Sequence, residues 1–413
     1  MPTLKRPLNP CAAIALLLGV VAACGSLQAA TAAQFWPGDA TETTGWTGRL
    51  LRPDEHLAIL TVRGGAAERG VAHGKLLKNE ITTLVASVKK YLVGTDGEAH
   101  YKLCLDGART MGKYIDEDVM TELKACAGAA GVDADELLLD QLFGDVNRAK
   151  GFTSYCSAFA AFGPATRDGK LIVGRNFDYA GHGLEGGVPL ILQELPDGKG
   201  AGHAFVTLCY AGILNGWTSM NSEGLCASNN TLFGGKDTLE GMSTCFLLRK
   251  IVERCSTVEE GVALIEKSQR ACTTGMMVAG KNAKGEWDAR FAEYDSKDVA
   301  IVEPKDGIVL ATNKHQKLPV LGYKPAPVVD CGRYQELKKY LTEHHGALNF
   351  DDTTQNPVAI RLVYMSINLH CAMLDPAGQR IRAAFVIGDG KPAAENGFRN
   401  FTVKPTAVIE EAR

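Results

Sequence analysis

The stretch SYCSAFAAFGPATRDGKLIVGRNFDY, residues 154–179, decides how the rest of the chain is read. Residues 156–163 form a short, largely apolar run, ATRDGK carries the Asp and Gly of a turn, and LIVGRNFDY is a second strand-forming run, so the segment reads as a β-hairpin. With the turn centred on Arg167 and Asp168, the numbers of antiparallel partners sum to about 335, which sets Cys156 opposite Asp178 or Tyr179. Asp178 is then expected within hydrogen-bonding range of the thiol. Arg175 falls nearer the turn, roughly 10 Å away at strand rise, a gap that a guanidinium leaning along the strand partly closes. A cysteine in an apolar strand is ordinarily a small core residue. Only a thiolate attacks, however, and an unperturbed thiol with a pKa near about 8.5 is little ionised at neutral pH, so a nucleophilic cysteine needs a base or a cation beside it. Of the 12 cysteines, Cys156 is the one followed by a hairpin that folds both back toward the sulfur.

The chain around this hairpin has 413 residues, 46% of them hydrophobic, enough for one large or two smaller globular domains. A net charge of -3 offers no basic face for nucleic acid. At the N-terminus Lys5 and Arg6 precede CAAIALLLGVVAAC, which has the length and composition of a secretory leader rather than a membrane span. Two processing routes stand side by side. Val21-Ala22-Ala23-Cys24 resembles a bacterial lipobox, with lipidation of Cys24 after removal of residues 1–23, and the alternative is cleavage after Ala32. Either route exports the protein from a bacterial cytoplasm, to the periplasm or to a lipid anchor at the membrane. Export permits disulfides, but with Cys11, Cys24 and Cys156 set aside nine cysteines remain, so at least one stays unpaired.

From about 66 to 147 apolar residues recur at three and four, giving four helical stretches, with Asp116 and Asp133 as N-caps of the third and fourth. After Cys156 the period changes. Strands are expected in VPLILQELPDG, HAFVTLCYAG, NGWTSMN and LCASNNTL. Helices follow in STCFLLRKIVERC and TVEEGVALIEKSQ, the second opened by a Thr257–Glu260 capping box. A second group of strands (TGMMVAG, EWDARFAEYD, VAIVEP, GIVLATN), helices near 332–345 and 356–365, and a closing hairpin complete the pattern. Strands linked by short hairpins and alternating with helices imply an α+β fold, antiparallel sheets sandwiched by helices, behind a mainly helical N-terminal segment.

Gly181, Gly183 and Gly186 match GxGxxG, but a strand follows where a dinucleotide site needs a helix N-terminus. There is no GxxxxGK[ST], no GxSxG, no CxxC and no His pair at metal-ligand spacing, so neither cofactor nor metal is expected.

The string from Cys156 through GRNFDY resembles the start of the catalytic chain in N-terminal-nucleophile (Ntn) hydrolases related to the acyl-coenzyme A:6-aminopenicillanic acid acyltransferases, and more distantly the choloylglycine hydrolases. MNSEGLCASNNTL, LATNKHQ and CGRYQELKKYL resemble later segments of the same family, in family order from 156 to about 340. The resemblance implies a four-layer αββα sandwich over 156–413 and self-cleavage between Tyr155 and Cys156, with residues 33–155 remaining bound as a separate chain. The freed α-amine of Cys156, which in an unperturbed setting has a pKa of about 7.7 to 8.0, then serves as base for its own thiol. The resemblance also implies that Asp178 orients the amine or thiol, that Arg175 stabilises the thiolate or substrate, and that Asn230 donates to the oxyanion, with Asn229 as the fallback. Asn313 and Arg333 complete the polar site. Tyr155 stands where the acyltransferases commonly have Gly, and Ser157 where Thr is frequent.

The expectation is therefore an exported cysteine hydrolase or acyltransferase acting on a small linear amide, with or without a separate acyl donor, through a Cys156 thioester. Its rivals are a choloylglycine-like or phospholipase-B-like amidase or esterase with the same centre, and a non-catalytic envelope lipoprotein that keeps the fold.

Overall fold

The computed structural model describes residues 47–148, 154–181, 183–197, 201–318, 331–352, 360–404 and 409–412. The expected leader with Cys24, and residues 356–359 of the helix expected near 356–365, lie outside the described residues; of the rest of that stretch only Ile360 and Arg361 are helical.

Two strands that the reading of a mainly helical N-terminal segment did not include come first, β1 (Gly48–Asp54) and β2 (Leu57–Gly64). Helices α1 (Ala66–Leu76), α2 (Lys78–Gly112), α3 (Glu117–Ala130) and α4 (Ala134–Val146) follow. The apolar period that runs through 67–92 is interrupted at Leu77, and α2 is kinked at Asp96 and Gly97, the latter at a φ of 80 that glycine adopts without strain. Asp133 caps α4 by accepting from the amides of Asp135 and Glu136. Asp116 occupies the N-cap position of α3 but turns its carboxylate to Lys250 Nζ at 2.7 Å.

Strands β3 (Ser157–Ala161), β4 (Ile172–Asp178), β5 (Pro189–Pro196), β6 (Phe205–Tyr210), β7 (Thr218–Asn221) and β8 (Cys226–Thr231) precede α5 (Thr244–Arg254) and α6 (Val258–Lys267). The Thr257–Glu260 capping box is present. Then come β9 (Thr274–Lys281), β10 (Trp287–Tyr294), β11 (Val299–Val302), β12 (Ile308–Ala311), α7 (Gly332–Glu343), the hairpin β13 (Asn368–Asp375) and β14 (Arg380–Phe385), and β15 (Arg399–Thr402) and β16 (Glu410–Ala412).

The strands form a 9-stranded sheet, β1-β2-β5-β6-β7-β8-β9-β10-β11, and a 7-stranded sheet, β12-β3-β4-β13-β14-β15-β16. The described pairings are antiparallel except that of β2 with β5, which is parallel. That exception has a topological cause, since four helices and the β3–β4 hairpin intervene between the two strands and supply the crossover a parallel pair requires.

Side-chain alternation makes the layers. Leu57 and Ile59 of β2 join Ile191, Leu208 and Met277 in facing Ala158, Val173, Val309 and Leu374 of the second sheet, while Ala58, Leu60 and Val62 pack outward beneath α1–α4. Helices α5 and α6 cover β8–β10 through Leu248, Ile251, Val258 and Ile265, and α7 covers the outer face of the second sheet through Leu337 and Leu341. The architecture is αββα. Because nearly every strand is buried on both faces, the strands read as continuous apolar runs rather than as clean alternations.

A buried ion cluster ties the segment before Cys156 to the rest. Arg69 of α1 reaches Glu194 of β5 at 3.0 Å and Glu122 of α3 at 2.8 Å, and Arg249 of α5 reaches Glu122 and Glu194 at 2.8 Å and Glu253 at 2.9 Å. Burial pushes the Glu194 carboxyl up, while the two guanidinium groups hold Glu122 below its usual range against that burial. Two arginines thus sit among three buried carboxyl groups, each in contact with at least one guanidinium.

Candidate active site

Strand β3 pairs with β4 in the register Ser157↔Asn176 and Ala158↔Arg175. The pairing continues upstream of the strand, with Tyr155 N donating to Asp178 O at 2.9 Å and an antiparallel bridge from Ser154 to Tyr179. This register differs from the expected one and places Cys156 opposite Phe177. The cause is the end of β3, where Phe162 turns away to bond Gly307 O at 2.9 Å and a 3-10 turn over Gly163–Ala165 begins, so the connection centres earlier than Arg167–Asp168.

The facing that follows from a Cys156–Asp178 pairing is thereby reversed, whereas the facing that follows from a Cys156–Tyr179 pairing is kept. Arg175 and Phe177 share a face with Cys156 and Ala158, directed between the sheets, whereas Asn176 and Asp178 lie on the other face with Ser157. The Asp178 carboxylate does not meet the thiol. Its Oδ1 accepts from Met365 N at 3.1 Å and Asn368 Nδ2 at 2.8 Å, and its Oδ2 is buried without a partner. The Cys156 sulfur, 2% exposed, lies 3.9 Å from the main-chain oxygen of Asp178 and 3.5 Å from Ser154 Oγ.

Arg333, in the first turn of α7, spans the Tyr155–Cys156 peptide. Its Nη1 donates to the carbonyl oxygen of Tyr155 and, at 2.9 Å, to that of Cys156, while Nη2 donates to Asn313 Oδ1 at 3.2 Å. Asn313 is itself anchored by Nδ2 to Thr231 O at 2.8 Å. Arg175, fully buried, donates from its two terminal nitrogens to Asn176 O and Asn229 O and so straps the two sheets together, leaving Nε without a partner.

The two candidate oxyanion residues of β8 face opposite ways. Asn230 shares its face with the inter-sheet residue Cys226, and its amide reaches Ala311 O at 3.5 Å and Thr312 O at 3.4 Å, both long contacts. The Asn229 side chain lines a cavity of about 50 Å³ together with Phe177, Tyr179, Trp217 and Thr231. Such a volume admits water-sized guests.

Two buried polar residues outside the expected set support the site. Asn368 holds Asp178 and accepts from Ala394 N at 2.9 Å. The His370 ring lies tilted against Phe177, centroids 5.1 Å apart, and pairs Nε2 with Thr218 Oγ1 at 2.8 Å; burial, with Arg175 nearby, lowers its pKa well below the usual value, so it is neutral. The signal for both was present as polar residues at alternating positions of the apolar run INLHCAMLDP.

Burial raises the Asp178 carboxyl to about 7, against the downward pull of the Met365 and Asn368 bonds and of Arg333 and Arg175. A carboxyl whose pKa is higher folded than unfolded favours the fold when protonated. Its contribution is full below the unfolded value of about 4 and is lost as pH rises through 7. Urea titrations of the uncut Cys156→Ala chain should therefore show stability falling by a few kcal/mol between about pH 5 and 8. The Cys156→Ala/Asp178→Asn chain, with no carboxyl to ionise there, should fall clearly less, and equal losses would remove Asp178 as the cause.

The family model for acyl-coenzyme A:6-aminopenicillanic acid acyl-transferase matches residues 165–385, more than half the chain. The chain belongs to this family. The matched region of this Ntn-type acyltransferase family begins past Cys156 and includes Arg175, Asp178, Asn230, Asn313 and Arg333. Among curated relatives, the chain is 26% identical over 281 residues to protein dcd1A of Dictyostelium discoideum, covering 60% of this chain and 62% of that protein. It is 24% identical over 341 residues to an uncharacterized protein of Archaeoglobus fulgidus, covering 71% and 56%. The chain thus spans less than two thirds of the length of these relatives. Solved structures similar to it include a Caenorhabditis elegans N-acylethanolamine-hydrolyzing acid amidase ortholog (TM-score 0.42, 16% identity, 54% of this chain and 93% of that one). Another is penicillin V acylase from Agrobacterium tumefaciens (TM-score 0.38, 11% identity, 62% and 98%).

Proposed function

We propose that this acyltransferase-family protein is an exported enzyme that cuts its own chain between Tyr155 and Cys156. The freed Cys156 then hydrolyses or transfers the acyl group of a linear amide through a thioester. The observation that carries the reading is the placement of Arg333, which donates to the carbonyl oxygen of Tyr155, the oxygen that becomes negative when the thiol adds to its carbon.

In self-cleavage the Cys156 sulfur bonds to the Tyr155 carbonyl carbon, the C–N bond breaks, and the thiol proton passes to the departing nitrogen. Water then hydrolyses the thioester to a Tyr155 carboxylate, leaving Cys156 with a free thiol and a free α-amine. In turnover that amine takes the thiol proton and returns it to the leaving amine of the substrate. Asp178 Oδ2, buried and unpartnered in the uncut chain, is suited to accept from the new amine. Arg175 shares the nucleophile's face and has one donor, Nε, left for a thiolate or a substrate oxygen. Asn230, on the inter-sheet face and held by two long bonds, is the better oxyanion donor of the pair, and Asn313 positions Arg333.

Mass spectrometry of the purified protein should find a fragment beginning at Cys156, and an intact, fully active chain would sink the reading. Arg333→Ala should slow the appearance of that fragment on the order of 10²–10³-fold, the usual effect of one lost oxyanion donor, as followed by the ratio of uncut to cut chain over time. Turnover of N-acyl amino acids, bile-salt conjugates and β-lactam side-chain amides tests the amide class. Export rests on residues 1–32 and predicts a mature N-terminus at a lipidated Cys24 or near Ala33.

A further inference from the structure

The residues leading into the scissile peptide are held as a ligand is held. Tyr155 makes three separate contacts with groups of the proposed site. Its amide N–H donates to Asp178 O at 2.9 Å, its carbonyl oxygen accepts from Arg333 Nη1, and its ring lies over the same guanidinium, 5.6 Å from Cζ to the ring centroid. Ser154 continues the arrangement by bridging to Tyr179 in strand fashion.

On the proposed function above, on which this step rests, the same sulfur attacks the Tyr155 carbonyl once and a substrate carbonyl in every later turnover. Arg333 Nη1, which holds the Tyr155 carbonyl oxygen, and the sulfur both belong to the fold, so the space around Tyr155 is where a substrate's acyl group has to lie. Two features of that space select among acyl groups. Asp178 O is an acceptor placed for an N–H on the carbon next to the reacting carbonyl, and the guanidinium plane of Arg333 offers a face to an aromatic ring on that same carbon. A simple fatty acyl chain supplies neither group. The Tyr155 side chain is 43% exposed, so the ring is held by stacking at the mouth of the site rather than in a deep pocket.

We propose that the enzyme acts on aminoacyl amides: acyl groups bearing an N-substituted amine and an aromatic side chain on the α-carbon, as on the carbonyl side of a peptide bond. The carboxyl end at Tyr155, released by self-cleavage, is then the first product to occupy the acyl subsite. In each turnover the substrate C–N bond breaks as the thioester forms, the leaving amine takes the proton held by the Cys156 amine, and water releases the N-acyl amino acid.

The test uses the full, self-cleaved protein and four 7-amino-4-methylcoumarin amides, those of N-acetyl-Ser-Tyr, N-acetyl-Ser-Leu, 3-(4-hydroxyphenyl)propionate and decanoate. The third keeps the tyrosine ring and lacks the amine. The expected order has the tyrosyl amide first in kcat/KM, the leucyl amide several-fold lower, and the last two lower by about 100-fold or more, because an acceptor built for an N–H is left unpaired. In parallel, p-nitrophenyl acetate, whose acetyl group asks nothing of the subsite, should place an acetyl mass on Cys156, and N-acetyl-Ser-Tyr with a free carboxylate should slow that labelling. Acetylation of Cys156 combined with equal or faster cleavage of the propionyl or decanoyl amide, or with no cleavage of the tyrosyl amide, overturns the aminoacyl assignment and leaves the cysteine mechanism standing. Failure of Cys156 to be acetylated overturns both.

Discussion

Cys156→Ala yields a single uncut chain with amide turnover reduced on the order of 10⁴-fold or more, because one atom, Sγ, is asked to perform both the self-cleavage and every later acyl transfer. The substitution is suited to the test. The side chain is 2% exposed and makes only the weak contacts to Ser154 Oγ and Asp178 O, so alanine removes the nucleophile while Tyr155 N, the Ser154–Tyr179 bridge and the Arg333 contacts keep the strand in place. Cys156→Ser should lie between, since a hydroxyl in the same position is a far weaker nucleophile at neutral pH. Intact mass and N-terminal sequencing read the outcome. A Cys156→Ala chain that is still cut before residue 156 would place the cleavage chemistry elsewhere.

The second large effect is structural. Arg249→Ala should destabilise the fold by about 3–5 kcal/mol, the cost of breaking a buried ion network by removing one partner. Arg249 is 2% exposed and is the one member of the cluster that touches Glu122, Glu194 and Glu253 together; without it, Glu253 loses its guanidinium partner and Arg69 alone is left to Glu122 and Glu194. The loss should be greater in the cut protein, where the network is one of the ties between the segment carrying Arg69 and Glu122 and the one carrying Glu194, Arg249 and Glu253. Urea unfolding measured on the uncut Cys156→Ala background and on the cut protein compares the two. A change within about 0.5 kcal/mol, the range of an ordinary surface substitution, would mean the cluster is not the tie described.

What could be read from the residue order divides along physical lines. Periodic features were legible, as the four helices before Cys156, the Thr257–Glu260 box and most strands from β3 to β14 show, because each depends on neighbours a few residues away. Strand β2 escaped because both of its faces are buried, so LAILTVRG lacks the alternation that marks a half-exposed strand. The hairpin at residues 154–179 was recognised, yet its register was not, since a 3-10 turn at Gly163–Ala165 changes which residue marks the centre of the connection. The observed register decides between the two expected pairings for the face, with Asp178 on the far face of β4 and Arg175 on the near one. Among the site residues, the Arg333–Asn313 pair and the approach of Arg333 to Tyr155 were anticipated only as a shared polar site, through family resemblance, whereas Asn368 went unnoticed. Its link to Asp178 spans most of the proposed catalytic segment, and no local pattern reports a contact of that reach.

The parallel pairing of β2 with β5 has a consequence for the life history of the molecule. The two strands lie on opposite sides of Cys156, and β5 meets β2 along seven residue pairs from Ala58↔Leu190 to Gly64↔Pro196. A polypeptide starting at residue 156 and folding alone would present β5 as a bare edge, a template for aggregation. On the proposed self-cleavage, assembly has to precede the cut, while a covalent link still keeps β2 at high effective concentration beside its partner. Once that link was cut, refolding would be an encounter between two molecules, and the proposed cleavage would act as a ratchet that makes a completed fold hard to rebuild once it has been lost.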